Sequence, residues 1–273
     1  MRSMAGTGVV RNSISNNSGS TQFAKDPQTL EKLSELMMSN SNFRQAKENT
    51  WEQELNDILA ANNDLRCGTC GNSGVERIPL MDELLDNLEY ISQFEAKPGI
   101  ETVYSGLRSN INNRDAVNHM IDYMKRYPNE FTNLTEFEFR YADDILNRAD
   151  VLVENTLYEF KSWTPDNPNP WNSFFTGSGN SYTQFLRYLK NTNDLNELKY
   201  IFNAQKSDIG QVKEAFRGLF LDKADDWFKP IDDGGLGIVK VKQLFGDDIE
   251  DVSDFIEYAD DLDSEVYSFL KAD

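Results

Sequence analysis

The sequence predicts an α+β fold: a small mixed central sheet flanked by helices, preceded by a helical region and followed by an acidic, mostly helical tail. Three observations predict it. Strand formers fill 151–153 and 157–160 on either side of a short polar link, the pattern of a hairpin. Thr135-Glu-Phe-Glu-Phe-Arg140 alternates apolar and charged residues with a period of two. Elsewhere, apolar residues recur at helix spacing over long stretches.

Residues 1–24, rich in Ser, Asn and Gly, read as a disordered linker. Residues 25–112 form a helical N-terminal region. Within it, 27–61 carries Leu30, Leu33, Leu36, Met37, Trp51, Leu55 and Ile58 at helix spacing. A Gly/Asn-rich loop with Cys67 and Cys70 follows, then a helix over 81–94 and another over 100–110. The core, 113–230, opens with a helix over 114–127 and continues with the 135–140 strand and the hairpin. A proline-punctuated loop spans 163–171, and spacing i, i+4 puts Gln184 and Tyr188 on one helix face. A strand over 198–202 and a helix over 212–228 complete the core. The acidic extension, 231–273, starts at the Asp232-Asp-Gly-Gly235 break, with a short strand over 237–245 and a helical stretch over 246–270.

Composition excludes more than it selects. At 273 residues the chain can bury one good core plus an appendage. No apolar run is long enough to span a bilayer, and the first residues lack the hydrophobic stretch of a conventional signal peptide. One Cys-Gly-Thr-Cys cannot build a four-ligand zinc site, leaving a redox pair, a disulfide or a plain loop pair. The single histidine, His119, excludes multi-His metal hydrolases and argues against a His-activated nucleophile. A metal held by carboxylates remains. The net charge of −19 lacks the basic footprint of a nucleic-acid binder, but it is uneven. Residues 222–273 hold 16 acidic against 5 basic side chains, whereas 131–221 hold 12 against 9. Arg187, Lys190, Lys199, Lys206, Lys213 and Arg217 all fall in the latter stretch.

The hairpin carries the chemistry. With Asn155-Thr156 as its link, Asp150 lies opposite Lys161 and Leu152 opposite Glu159, so Asp150, Glu159 and Lys161 share one face. Two carboxylates are hard oxygen ligands suited to Mg²⁺, which would lower the pKa of a bound water. Lys161 would orient that water or meet the developing negative charge. A surface hairpin with a weak Asp–Lys pair is the plain alternative.

With its neighbours, this stretch resembles the PD-(D/E)XK nuclease superfamily, the restriction-endonuclease-like fold. Asp150 matches the first acidic position, with Ala149 where the family name has proline. Glu159-Phe-Lys161 matches the E-x-K half, and Gln184-Phe-Leu-Arg-Tyr188 looks like the Q-x-x-x-Y element of several branches. The resemblance implies that Asp150 and Glu159 ligate Mg²⁺ or Mn²⁺ with the Phe160 carbonyl, and that Glu138, or Glu136 on the same face, adds a further acid. It makes Lys161 the catalytic lysine, Gln184 a positioning group and Tyr188 its support. Arg148, Trp163 and Arg187 become substrate contacts, with Trp163 and Trp171 also suited to base stacking or to packing. The implied substrate is DNA before RNA or tRNA. Such domains often close secreted bacterial toxins. The expected setting is therefore a larger effector delivered into a target cell's cytoplasm, with an immunity protein as a partner and no membrane. Two other readings compete: a non-catalytic acidic protein binding a basic partner, and a carboxylate-pair glycosidase, for which no residue pair stands out.

Overall fold

The computed structural model describes residues 78–107, 111–141, 148–166 and 168–273. The expected linker, the 27–61 helical run and the Cys67–Cys70 loop lie outside them. The chain divides into two compact units, residues 1–125 and 126–273. The helix expected over 114–127 therefore falls almost wholly in the first unit.

In the first unit the described elements are α1 (Ile78–Ser92), α2 (Ile100–Leu107) and α3 (Ile111–Arg126). Each turns an apolar stripe inward: Leu88 and Ile91 from α1, Ile100, Val103 and Leu107 from α2, Met120, Ile121 and Met124 from α3. The buried Asn87 amide is satisfied between helices. It donates to Asn118 Oδ1 at 2.9 Å and accepts from Lys125 Nζ at 2.5 Å. His119 is buried on α3.

The second unit is built on five strands whose order in the sheet follows the chain: β1 (Leu134–Phe139), β2 (Ala149–Val153), β3 (Thr156–Lys161), β4 (Leu198–Phe202) and β5 (Leu270–Ala272). β1, β2 and β3 form an antiparallel meander, whereas β4 runs parallel to β3 and β5 parallel to β4. Parallel neighbours need crossovers. α4 (Pro168–Phe175) and α5 (Gly179–Asn191) supply the first; α6 (Ile209–Phe228), α7 (Ile238–Phe245) and α8 (Val252–Asp260) supply the second. The fold is mixed α+β, as the sequence predicts, with eight helices among the described residues.

One face of the sheet packs into an aromatic core with α4–α8. The Phe216 ring sits 5.5 Å from Phe174, 5.6 Å from Phe185 and 5.4 Å from Phe269, all at steep interplanar angles. Edge-to-face pairs of this kind add about 0.5–1.5 kcal/mol each beyond burial. α6 starts at a capping box: Asp208 Oδ1 accepts from Gln211 N at 3.0 Å, and Gln211 Oε1 accepts from Asp208 N at 3.3 Å.

Two expectations for the C-terminal region give way. Residues 238–245 form a helix instead of a strand, burying Val241, Leu244 and Phe245 and leaving Val239 79 % exposed. Residues 231–273 are also no appended tail. Phe245, Phe255, Tyr267 and Phe269 are buried in the same core, and β5 extends the sheet. Only Val252–Asp260 of the expected helical stretch is α-helix. No helix among the described residues is long and apolar enough to cross a membrane.

Candidate active site

β3 is the middle strand, and every residue in it after Thr156 is buried. Glu159 is 3 % exposed and Lys161 7 % exposed. Buried charges persist only when paired and hydrogen-bonded. Here Lys161 Nζ pairs with Glu159 Oε1, and Tyr188 donates its hydroxyl to Glu159 Oε2 at 3.0 Å. Gln184 Nε2 lies 3.4 Å from that same oxygen and donates to the Arg148 carbonyl at 2.6 Å. It also bonds the Tyr188 hydroxyl, so one face of α5 reads Glu159 through two side chains. The Lys161 ammonium stands 4.8 Å from the Trp163 ring and 5.8 Å from Tyr200.

The hairpin register differs from expectation. Val151 pairs with Tyr158, Leu152 with Leu157 and Val153 with Thr156, making Glu154-Asn155 the link. Continuing that register puts Asp150 opposite Glu159 rather than Lys161. The slip is an even number of residues, so all three polar groups keep one face. Glu154 turns the chain at a left-handed φ of 53°. Two groups hold it there: Asn133 Nδ2 donates to its carboxylate at 2.6 Å, and its N–H donates to Thr135 Oγ1 at 3.1 Å.

β1 extends the same row. Phe137 pairs with Val151 and Phe139 with Ala149, which sets Glu138 opposite Asp150 and Glu136 opposite Leu152. On the other side, Glu159 pairs with Tyr200 of β4. Glu138, Asp150 and Glu159 thus form a cross-strand line of three carboxylates, an arrangement that like-charge repulsion opposes. Burial, and then the negative charge of Glu159, holds the Asp150 carboxyl well above the usual range; Lys161 and the Phe160 N–H pull the other way. Burial also raises Glu138, against the Arg148 guanidinium. Phe160 N donates to Asp150 Oδ2 at 2.7 Å where the backbone pairing of β2 with β3 ends. Glu138 itself sits at a φ of 55°, a left-handed conformation costing a non-glycine residue about 1–3 kcal/mol.

Two hard oxygen donors whose repulsion already raises one pKa fit a divalent cation, which would relieve that repulsion. Among the described residues no three His, Cys, Asp or Glu side chains are grouped to hold a metal. Glu138 forms an ion pair with Arg148, which leaves Asp150 and Glu159 as the two carboxylates that could hold such a cation.

The expected substrate contacts divide. Arg148 is at the rim, its side chain 44 % exposed. Trp163 is half-buried, 5.4 Å from Phe174 and 6.2 Å from Phe202, and so packs on the edge of the core beside Lys161. Trp171 is buried against Phe175. Arg187 is half-buried on α5, within electrostatic reach of Tyr141. Three cations of the less acidic 131–221 stretch are engaged by the acidic segment: Lys190 Nζ donates to Gly234 O at 3.0 Å, Lys213 Nζ to Leu262 O at 2.8 Å, and Arg217 pairs with Asp260 at 2.6 Å.

Tyr200 was not legible as a neighbour of this site. Burial and the charges of Glu159 and Asp150 push its hydroxyl well above the phenol range, and that hydroxyl has no hydrogen-bond partner among the described residues. Its place opposite Glu159 depends on the parallel β3–β4 register, which a crossover of some thirty-six residues sets and local sequence does not. Comparison with protein-family models, with curated proteins and with solved structures returns no match.

Proposed function

We propose that this protein is a nuclease of the PD-(D/E)XK kind, hydrolysing phosphodiester bonds with Mg²⁺ or Mn²⁺. One observation carries the reading: Lys161, Gln184 and Tyr188, picked out by motif, gather on the Glu159 carboxylate, and Asp150 lies opposite Glu159 on the neighbouring strand, its own carboxylate on the Phe160 N–H. Asp150 and Glu159, with the Phe160 carbonyl, would hold the cation. When bound, the cation supplies a water of lowered pKa and positive charge opposite the phosphoryl oxygens. Lys161 keeps its ammonium at the site through the Trp163 and Tyr200 rings, orienting the attacking water and facing developing negative charge. Tyr188 and Gln184 fix the Glu159 rotamer, and Gln184 ties α5 to the start of β2.

DNA is the first substrate to test and RNA the second. Plasmid and tRNA are incubated with the protein in Mg²⁺, in EDTA, and with Asp150→Asn and Lys161→Met. The expected result is cleavage in Mg²⁺ alone, lost with chelation and in both variants. Cleavage that survives EDTA and both substitutions would remove the mechanism. Tight nucleic-acid or basic-protein binding without turnover would favour a non-catalytic interaction role.

A further inference from the structure

We infer that Glu138 is a positioning residue that occupies Arg148 as an internal stand-in for substrate phosphate; this rests on the nuclease reading and deepens it. Arg148 lies two residues before Asp150, and its backbone is fixed by the 2.6 Å bond from Gln184 to its carbonyl. Its guanidinium therefore starts from the edge of the site. A guanidinium at that place suits a phosphodiester oxygen pair, which it binds through paired N–H donors. In the isolated protein the guanidinium turns its Nε onto the carboxylate of Glu138, whose side chain is 18 % exposed against 44 % for Arg148.

The backbone gives the carboxylate this aim. Glu138 belongs to the row with Asp150 and Glu159, yet its left-handed φ of 55° is shared by only one other non-glycine among the described residues. The oxygen facing Arg148 takes no hydrogen bond, so the ion pair is its compensation among the described residues. The consequence is competitive. An arriving phosphate must displace Glu138 from Arg148, and Glu138 then adds negative charge to a row that favours cations over anions. Nucleic acid lacking a bound cation is held weakly, which makes productive binding depend on the cation being present.

The test measures binding of short labelled DNA and RNA oligonucleotides by fluorescence anisotropy in EDTA, with KM and kcat in Mg²⁺ alongside. Glu138→Gln should tighten binding about threefold to fivefold, as expected for releasing a partly exposed ion pair. Arg148→Gln should weaken it. In the Arg148→Gln background, Glu138→Gln should change binding by less than about twofold, because the two act through one contact. The gain should appear in KM. Glu138→Asn, which tolerates a left-handed backbone, repeats the measurement if the Gln variant folds poorly. A gain of equal size in both backgrounds reduces the effect to charge removal and overturns the inference. So does a fall in kcat with a raised Mg²⁺ requirement, which would make Glu138 a cation ligand. A protein that cleaves nucleic acid but shows no gain defeats this inference alone. One that neither binds nor cleaves defeats the nuclease reading with it.

Discussion

The Glu159–Lys161 pair makes an asymmetric prediction about stability. Lys161→Met leaves Glu159 Oε1 without its ammonium, while Oε2 keeps Tyr188 and Gln184. Breaking a buried pair from one side costs about 3–5 kcal/mol. The deficit of Lys161→Met should thus lie near 3 kcal/mol at pH 7. It should shrink as pH falls: Asp150, already held well above the usual range by burial, loses the Lys161 charge that pulls it down, so the variant's folded state takes up protons before its unfolded state does.

Glu159→Gln differs. Its amide oxygen still accepts from Tyr188, Lys161 keeps two aromatic rings, and Asp150, which burial holds up first, loses the largest of the charges that raise it further. A cost of about 1–2 kcal/mol follows from one weakened charge-assisted bond. The double variant should cost less than Lys161→Met alone, because no unpaired charge stays buried. Urea unfolding in EDTA at pH 7 and pH 5 measures all three. If Lys161→Met is cheaper than Glu159→Gln, or the two costs simply add, the pairing described for β3 is wrong.

Other outcomes are open to the same assay. Tyr188→Phe removes the hydroxyl between Gln184 and Glu159 and should cost about 1.5–3 kcal/mol as well as cleavage activity. Tyr200→Phe should be neutral or stabilising by up to about 1 kcal/mol, since it removes a buried hydroxyl without a described partner; a loss of that size would reveal one. Glu154→Gly relieves the left-handed turn but forfeits the exposed Asn133 bond, for a net gain of about 0.5 kcal/mol in melting experiments. Removing residues 231–273 should abolish cooperative unfolding rather than raise nucleic-acid affinity, because it strips Phe245, Phe255, Tyr267 and Phe269 from the core. A folded truncated protein would contradict that.

Much of the second unit is written locally. The alternation of Phe137 and Phe139 with glutamates, and the strand formers on both sides of the hairpin, report their strands directly. The link falls one residue earlier than local preference places it: Asn155 is the better turn former, but the left-handed position falls on Glu154. Tertiary bonds from Asn133 and Thr135 decide that, and they lie far back in sequence. The shared face of Asp150, Glu159 and Lys161 was legible nonetheless, since strand parity is insensitive to an even slip. In 238–245, alternating Val and Lys imitates a strand, but the buried set Val241, Leu244 and Phe245 follows helical spacing. β5 is three residues long and exists only through β4, so no local pattern announces it.

The bend at Glu138 also bears on solubility. Among the described residues β1 and β5 are the outer strands, each with a hydrogen-bonding edge open to recruitment by another molecule. β5 is too short to template much. β1 is longer and aromatic, but it carries a bulge between Leu134 and Glu136 and a backbone reversal of sign at Glu138. A straight foreign strand cannot stay in register along such an edge, so the irregularity that aims one carboxylate also discourages fibre-like growth.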